Sequence, residues 1–204
     1  MTQRSIPPAL LVLAALLVRT PVARADDKDK PVELPPGAEF VERYVAPDNS
    51  FELIYPSGWK VTPGKAPGAV LTIVEESKPP DHRHGIGLIA TPAKPGQELK
   101  DVAKGLKAVA PRRINAYKAV DDAYYDIGDW KVYRMVYDTK SKDGILFREI
   151  NFTIVKDGVI YNLIVGGPPD QYPQDEERAN QICGSLKINA PPKFETPAAT
   201  APKK

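Results

Sequence analysis

Between residues 119 and 165 the chain reverses direction at intervals too short for any other manoeuvre. Ala119–Ile127, Trp130–Thr139, Ile145–Val155 and Val159–Val165 are rich in aromatic and β-branched residues, as strands are. They are separated by Gly128-Asp129, Lys140–Gly144 and Asp157-Gly158. A parallel crossover takes roughly a dozen residues, so these runs can pair only antiparallel. Asp157-Gly158 is in addition a hairpin signal, because both central positions of a type I′ turn need positive φ.

The first half adds strands and one change of period. Ser50–Tyr55 reads as a strand stopped by Pro56-Ser57-Gly58 and resumed at Trp59–Val61. Ala69–Glu76 and His84–Thr91 follow, a hairpin joined by Ser77–Arg83. In Gln97–Ala110 the apolar residues Leu99, Val102, Ala103, Leu106 and Val109 recur at three- and four-residue steps, which predicts an amphipathic helix ended by Pro111. A last helix is expected from Pro173 to Leu186. Asp175, Glu176 and Glu177 suit its positive end, and Ala179, Ile182, Cys183 and Leu186 form its inner stripe. The expected class is α+β: an antiparallel sheet with one helix after its first strands and another at its end.

The flanks carry different information. Arg4, the apolar run Ala9–Val18, and Ala23-Arg24-Ala25 before Asp26 have the layout of a secretory signal at 1–25, cut before Asp26. The run is about half the roughly 20 apolar residues that span a bilayer, so no permanent anchor is expected. Residues 26–39, charged and then proline-rich, read as a disordered linker, and 189–204 as a disordered Pro/Ala/Lys tail. The domain is therefore expected at 40–188, in an exported protein, periplasmic or extracellular. The chain holds 28 basic and 26 acidic residues; losing Arg4, Arg19 and Arg24 (28 − 3) leaves a mature net charge of about −1. That balance argues against nucleic acid as a partner. With Cys183 the only cysteine, no intramolecular disulfide is available, and stability must come from a packed core.

The order Phe51-Glu52-Leu53-Ile54-Tyr55-Pro56-Ser57-Gly58-Trp59 resembles the F-x-L-x-Y-P-x-G-W opening of the PsbP and DcrB-like superfamily. Gly158–Leu163, a loop, a helix and then Ser185-Leu186-Lys187-Ile188 resemble its ending, with Leu186 where an aromatic residue is common. The resemblance implies an α/β/α sandwich around a central antiparallel sheet. It also implies a non-enzymatic protein that docks onto larger assemblies, as the lumenal subunits of photosystem II do, or that serves in a bacterial envelope. It supplies no site residues, and no cofactor is expected.

Chemistry is sparse. His82 and His84 point to one side of an extended chain and, with Glu76 across the expected hairpin, form a candidate metal site; Arg83 between them disfavours a cation. No Gly-x-Ser-x-Gly elbow occurs. Cys183 on an apolar helix stripe reads as a packed thiol. The spacing of Gly58 and Gly64-Lys65, with Ala66 following, fails the phosphate-loop pattern, and Gly85-Ile86-Gly87 lacks a third glycine. Asp121-Asp122 is a bare acid pair. Lys100, Lys104 and Lys107 share one helix face and run on to Arg112, Arg113 and Lys118, a candidate basic ridge for an envelope partner, diluted by Asp101. Tyrosines 124, 125, 133, 137 and 161 are core residues unless exposed as a cluster. The reading is an envelope binding or assembly module, with a metal-binding protein using His82 and His84, or an envelope enzyme, as the alternatives.

Overall fold

A computed structural model describes residues 41–64 and 68–192. The signal, the linker, Phe40, residues 65–67 and the tail from 193 onward lie outside them. Ten strands and two α-helices follow in the order β1 (Val41–Val45), β2 (Phe51–Pro56), β3 (Lys60–Pro63), β4 (Ala69–Val74), β5 (Gly85–Pro92), α1 (Leu99–Arg113), β6 (Lys118–Ile127), β7 (Trp130–Lys140), β8 (Leu146–Lys156), β9 (Val159–Gly167), α2 (Tyr172–Ser185) and β10 (Lys187–Ile188). Seven strands form one antiparallel sheet in the order β3-β4-β5-β9-β8-β7-β6. The β8–β9 turn has Asp157 at φ 50° and Gly158 at φ 73°, as a type I′ hairpin demands.

Alternation along β7 divides the interior in two. Tyr133, Met135 and Tyr137 face α1 and pack against Val102, Ala103, Leu106 and Ala110. Val132 and Val136 face the other way, joining Ile150, Phe152, Leu163 and Val165 beneath α2 and β2. Helices thus lie on both faces of the sheet, and the fold is α+β.

Two expectations change. The strand at Ser50–Tyr55 does not join the main sheet; β2 is the middle of a second sheet, β1-β2-β10, packed beside α2. Pro56 offers no N–H to a ladder and Gly58 adopts φ 78°, so the chain turns from one sheet into the other at this corner. Glu52 holds the small sheet together, accepting from Arg43 on β1 and pairing with Lys187 on β10. Burial pushes its carboxyl up, but the hydrogen bonds from Lys187 and Arg43 outweigh burial and keep it below the usual carboxylate range. Asn189 and Ala190, read as tail, both donate to the Ser50 carbonyl.

The second change is that α1 runs through Pro111 to Arg113. The ring removes only the donor that would serve the Lys107 carbonyl, on an exposed turn where water can substitute, and Ile114 N–H closes the end on Ala110 O at 2.9 Å. No helix among the described residues is long and apolar enough to cross a membrane.

Candidate functional site

Glu75 follows β4 and His84 precedes β5. The register places Val74 opposite Gly85, so these two residues are the next pair along the hairpin, with Glu75 N–H donating to His84 O at 3.0 Å. Opposed residues share a face, and Glu75 Oε2 lies 2.8 Å from His84 Nδ1. Asp175, in the first turn of α2, reaches the other side of the ring, with Oδ1 3.2 Å from Nε2. Nε2 is buried and has no hydrogen bond of good geometry, so this contact is an ion pair rather than an aligned bond. Arg178 Nη1 donates to the same Asp175 oxygen at 3.0 Å, and Trp59 stacks on the imidazole with centroids 6.0 Å apart.

The His84 side chain is only 7% exposed. Burial disfavours its charge, yet the carboxylates of Asp175 and Glu75 on either side prevail and raise its pKa above the ordinary value. Gly167 makes room for it: a Cβ there would stand 2.3 Å from His84 Cδ2 and 2.9 Å from Asp175 Oδ2. Above this network opens a cleft of about 410 Å³ bordered by Trp59, Lys78, His82, Gln171 and Arg178.

The three residues expected to share a metal ion have separate surroundings. His84 is turned inward, His82 is exposed at the cleft rim beside Asp81, and Glu76 pairs with Lys60 at 2.8 Å. It is Glu75, one residue earlier, that meets His84, and in a strand a shift of one residue exchanges the faces. Among the described residues no group of three or more His, Cys, Asp or Glu side chains is arranged to hold a metal.

The basic ridge is partly neutralised. Lys100 pairs with Glu98 and Lys107 with Asp122. Lys104, Arg112 and Arg113 are exposed and have no ion pair among the described residues. Asp121 and Asp122 point to opposite faces of β6, Asp121 to Arg134 and Asp122 to Lys107, so they do not act as an acid pair. Cys183 is fully buried and its thiol is pushed up to about 12 by burial, so it is a packed, inert group. Tyr133, Tyr137 and Tyr161 are core residues.

Tyr124 and Tyr125 are not. The large apolar residues left exposed among those described are Val109 on α1, Val120, Tyr124 and Tyr125 on β6, and Leu146. Four of these five therefore lie on α1 and the edge strand beside it, where a groove of about 460 Å³ runs between Glu98-Leu99-Lys100 and Tyr124-Tyr125-Asp126. Asp175 was legible only as a helix-dipole charge, and nothing local in the sequence pairs it with His84.

No family model matches the chain, and no curated protein matches it in sequence. Solved structures do match. Cyanobacterial PsbP (CyanoP) from Synechocystis sp. PCC 6803 superposes with a TM-score of 0.58 at 15% identity, over 75% of this chain and 95% of its own. PA94 from Pseudomonas aeruginosa, of unknown function, gives 0.51 at 11%, over 76% and 100%. LpqN of Mycobacterium tuberculosis, involved in cell envelope biogenesis, gives 0.50 at 16%, over 74% and 92%. Identities this low speak to architecture alone. The chain shares the fold of cyanobacterial PsbP, PA94 and LpqN.

Proposed function

We propose that the mature chain is an exported, non-enzymatic binding or assembly module of the cell envelope, and that it docks through α1 and the edge strand β6. The observation that carries this is the concentration of exposed Val109, Val120, Tyr124 and Tyr125 on α1 and the edge strand, together with the α1 cations Lys104, Arg112 and Arg113, which have no ion pair among the described residues. Exposed aromatic residues with cations at their rim suit a protein partner with an acidic, partly apolar face. The secretory layout of residues 1–25 supports an envelope location, as does the fold shared with LpqN.

The test is photo-cross-linking in cells, with the reactive side chain at Tyr124 or at Lys104, and at Thr62 on the opposite edge as control. One adduct is expected from the first two positions, absent from Thr62 and lost when Lys104, Arg112 and Arg113 are changed to Glu. Equal adducts at all three positions, or saturable turnover by the purified protein, would overturn the reading.

A further inference from the structure

We propose that the cleft over Trp59 and His84 binds a small ring-bearing oxyanion, an aromatic carboxylate or phosphate. Its border combines the apolar surfaces of Pro56, Trp59 and Pro79 with the cations Lys78 and Arg178 and the imidazole of His82. At about 410 Å³ it falls within the roughly 300–1,000 Å³ range of small-molecule clefts.

The charges decide the sign of the ligand. Glu75 is engaged by His84, and Asp175 by both His84 and Arg178, so the acids of the network already have cationic partners. Lys78 has no ion pair among the described residues. Arg178 commits a single N–H to Asp175 and, with five donors on its planar fork, retains enough to grip two oxygens of one anion. Glu75 is the acid of the lining and is taken up by His84, while Asp81, next in sequence to His82 and 3.7 Å from its ring, is not among the lining residues. A cation would meet Lys78, which has no acid against it among the described residues, whereas an oxyanion is received by Lys78 and by the N–H groups that Arg178 keeps beyond its bond to Asp175. Trp59 and the two prolines offer flat apolar contact, which favours a ligand with a ring. The floor is rigid because Gly167 and the stacked Trp59 fix the imidazole in place.

This cleft is separate from the α1–β6 edge, so failure of either proposal leaves the other standing. The experiment is an amide and indole NMR titration of the mature chain with phenyl phosphate, benzoate, inorganic phosphate and benzyl alcohol. Phenyl phosphate and benzoate are expected to shift the Trp59 indole and the Lys78 region to saturation, the tighter of the two identifying the anion. Inorganic phosphate is expected to bind more weakly, and benzyl alcohol not at all. Lys78→Gln, at an exposed side chain the fold does not use, should weaken the better ligand severalfold. Arg178→Lys, which keeps the charge but loses the fork, should weaken it by about tenfold. The proposal is overturned if neither aromatic anion saturates a shift at Trp59. It is equally overturned if benzyl alcohol binds as well as benzoate, or if both substitutions leave the affinity unchanged.

Discussion

The two ends of the main sheet solve opposite problems. At the β4–β5 end an imidazole is drawn into the protein and surrounded: Glu75, Asp175, Trp59 and the bare backbone of Gly167 each occupy one side of His84. At the β6 end the last strand is left almost wholly in water, with Tyr124 58% exposed. A bulge at Val120 and the charges of Lys118, Asp121, Asp122 and Asp126 guard that edge against indiscriminate pairing. The comparison teaches that at each end it is the groups left at the surface, not the buried ones, that are open to a partner. The polar cluster is mostly satisfied internally and acts as scaffold, while apolar groups stand unsatisfied on the surface.

Gly167→Ala attacks the closed end directly. Its new methyl cannot coexist with the His84 ring, so either the ring leaves its two carboxylates or β9 shifts. Overpacking together with a broken buried ion pair is expected to cost about 3 kcal/mol, read as a lower urea midpoint by circular dichroism. Gly105→Ala is the matched substitution on α1, where a Cβ meets nothing within 4 Å. There the helical preference for alanine should raise stability by about 0.5–1 kcal/mol. Equal effects at the two glycines would erase the distinction between the regions.

His84 also gives the closed end a pH signature. Burial works against its charge, but Asp175 and Glu75 outweigh burial and the nearby Arg178, so the folded value stands above the ordinary 6.5. A raised histidine binds its proton more tightly when folded. Its contribution is therefore complete below about 6.5 and lost as pH rises through the folded value. Urea stability measured from about pH 6 to pH 9 should decline in the wild type, and the decline should be reduced in His84→Gln. Identical pH dependence in the two proteins would show that the ring is not charged between its carboxylates.

What the sequence made legible follows the same division. β6 to β9 were readable because their turns are short and their pairing is local, and α1 because its apolar period is regular. The small sheet was not, since β10 meets β2 across nearly the whole described chain and two residues of pairing leave no pattern. The His84 network was half visible. The hairpin announced a carboxylate near His84, but register decides between Glu75 and Glu76, and one residue of slip exchanges the faces. Asp175 arrives from α2 by tertiary packing, which no local spacing encodes. The basic ridge was visible as lysines, whereas the acids that neutralise Lys107 and Lys100 depend on where β6 and the α1 cap lie.

The smallest effect on stability should be found at the open end, where it separates Tyr124 from Tyr125. Tyr124 touches Tyr133 with centroids 5.2 Å apart but keeps more than half its surface in water. Tyr125 instead carries the Arg134 guanidinium over its ring at 4.7 Å, and Arg134 is the buried cation that gathers Asp121 and Glu176. Tyr124→Ser is therefore expected to change unfolding stability by no more than about 0.5 kcal/mol, as at ordinary surface positions. Tyr125→Ser should cost about 1 kcal/mol, because it strips a face from a desolvated guanidinium. If the edge is a docking surface, Tyr124→Ser must nonetheless abolish the cross-link from Lys104. A variant that unfolds more readily than Tyr125→Ser would place Tyr124 in the core economy of the sheet, and one that retains the cross-link would remove it from the interface.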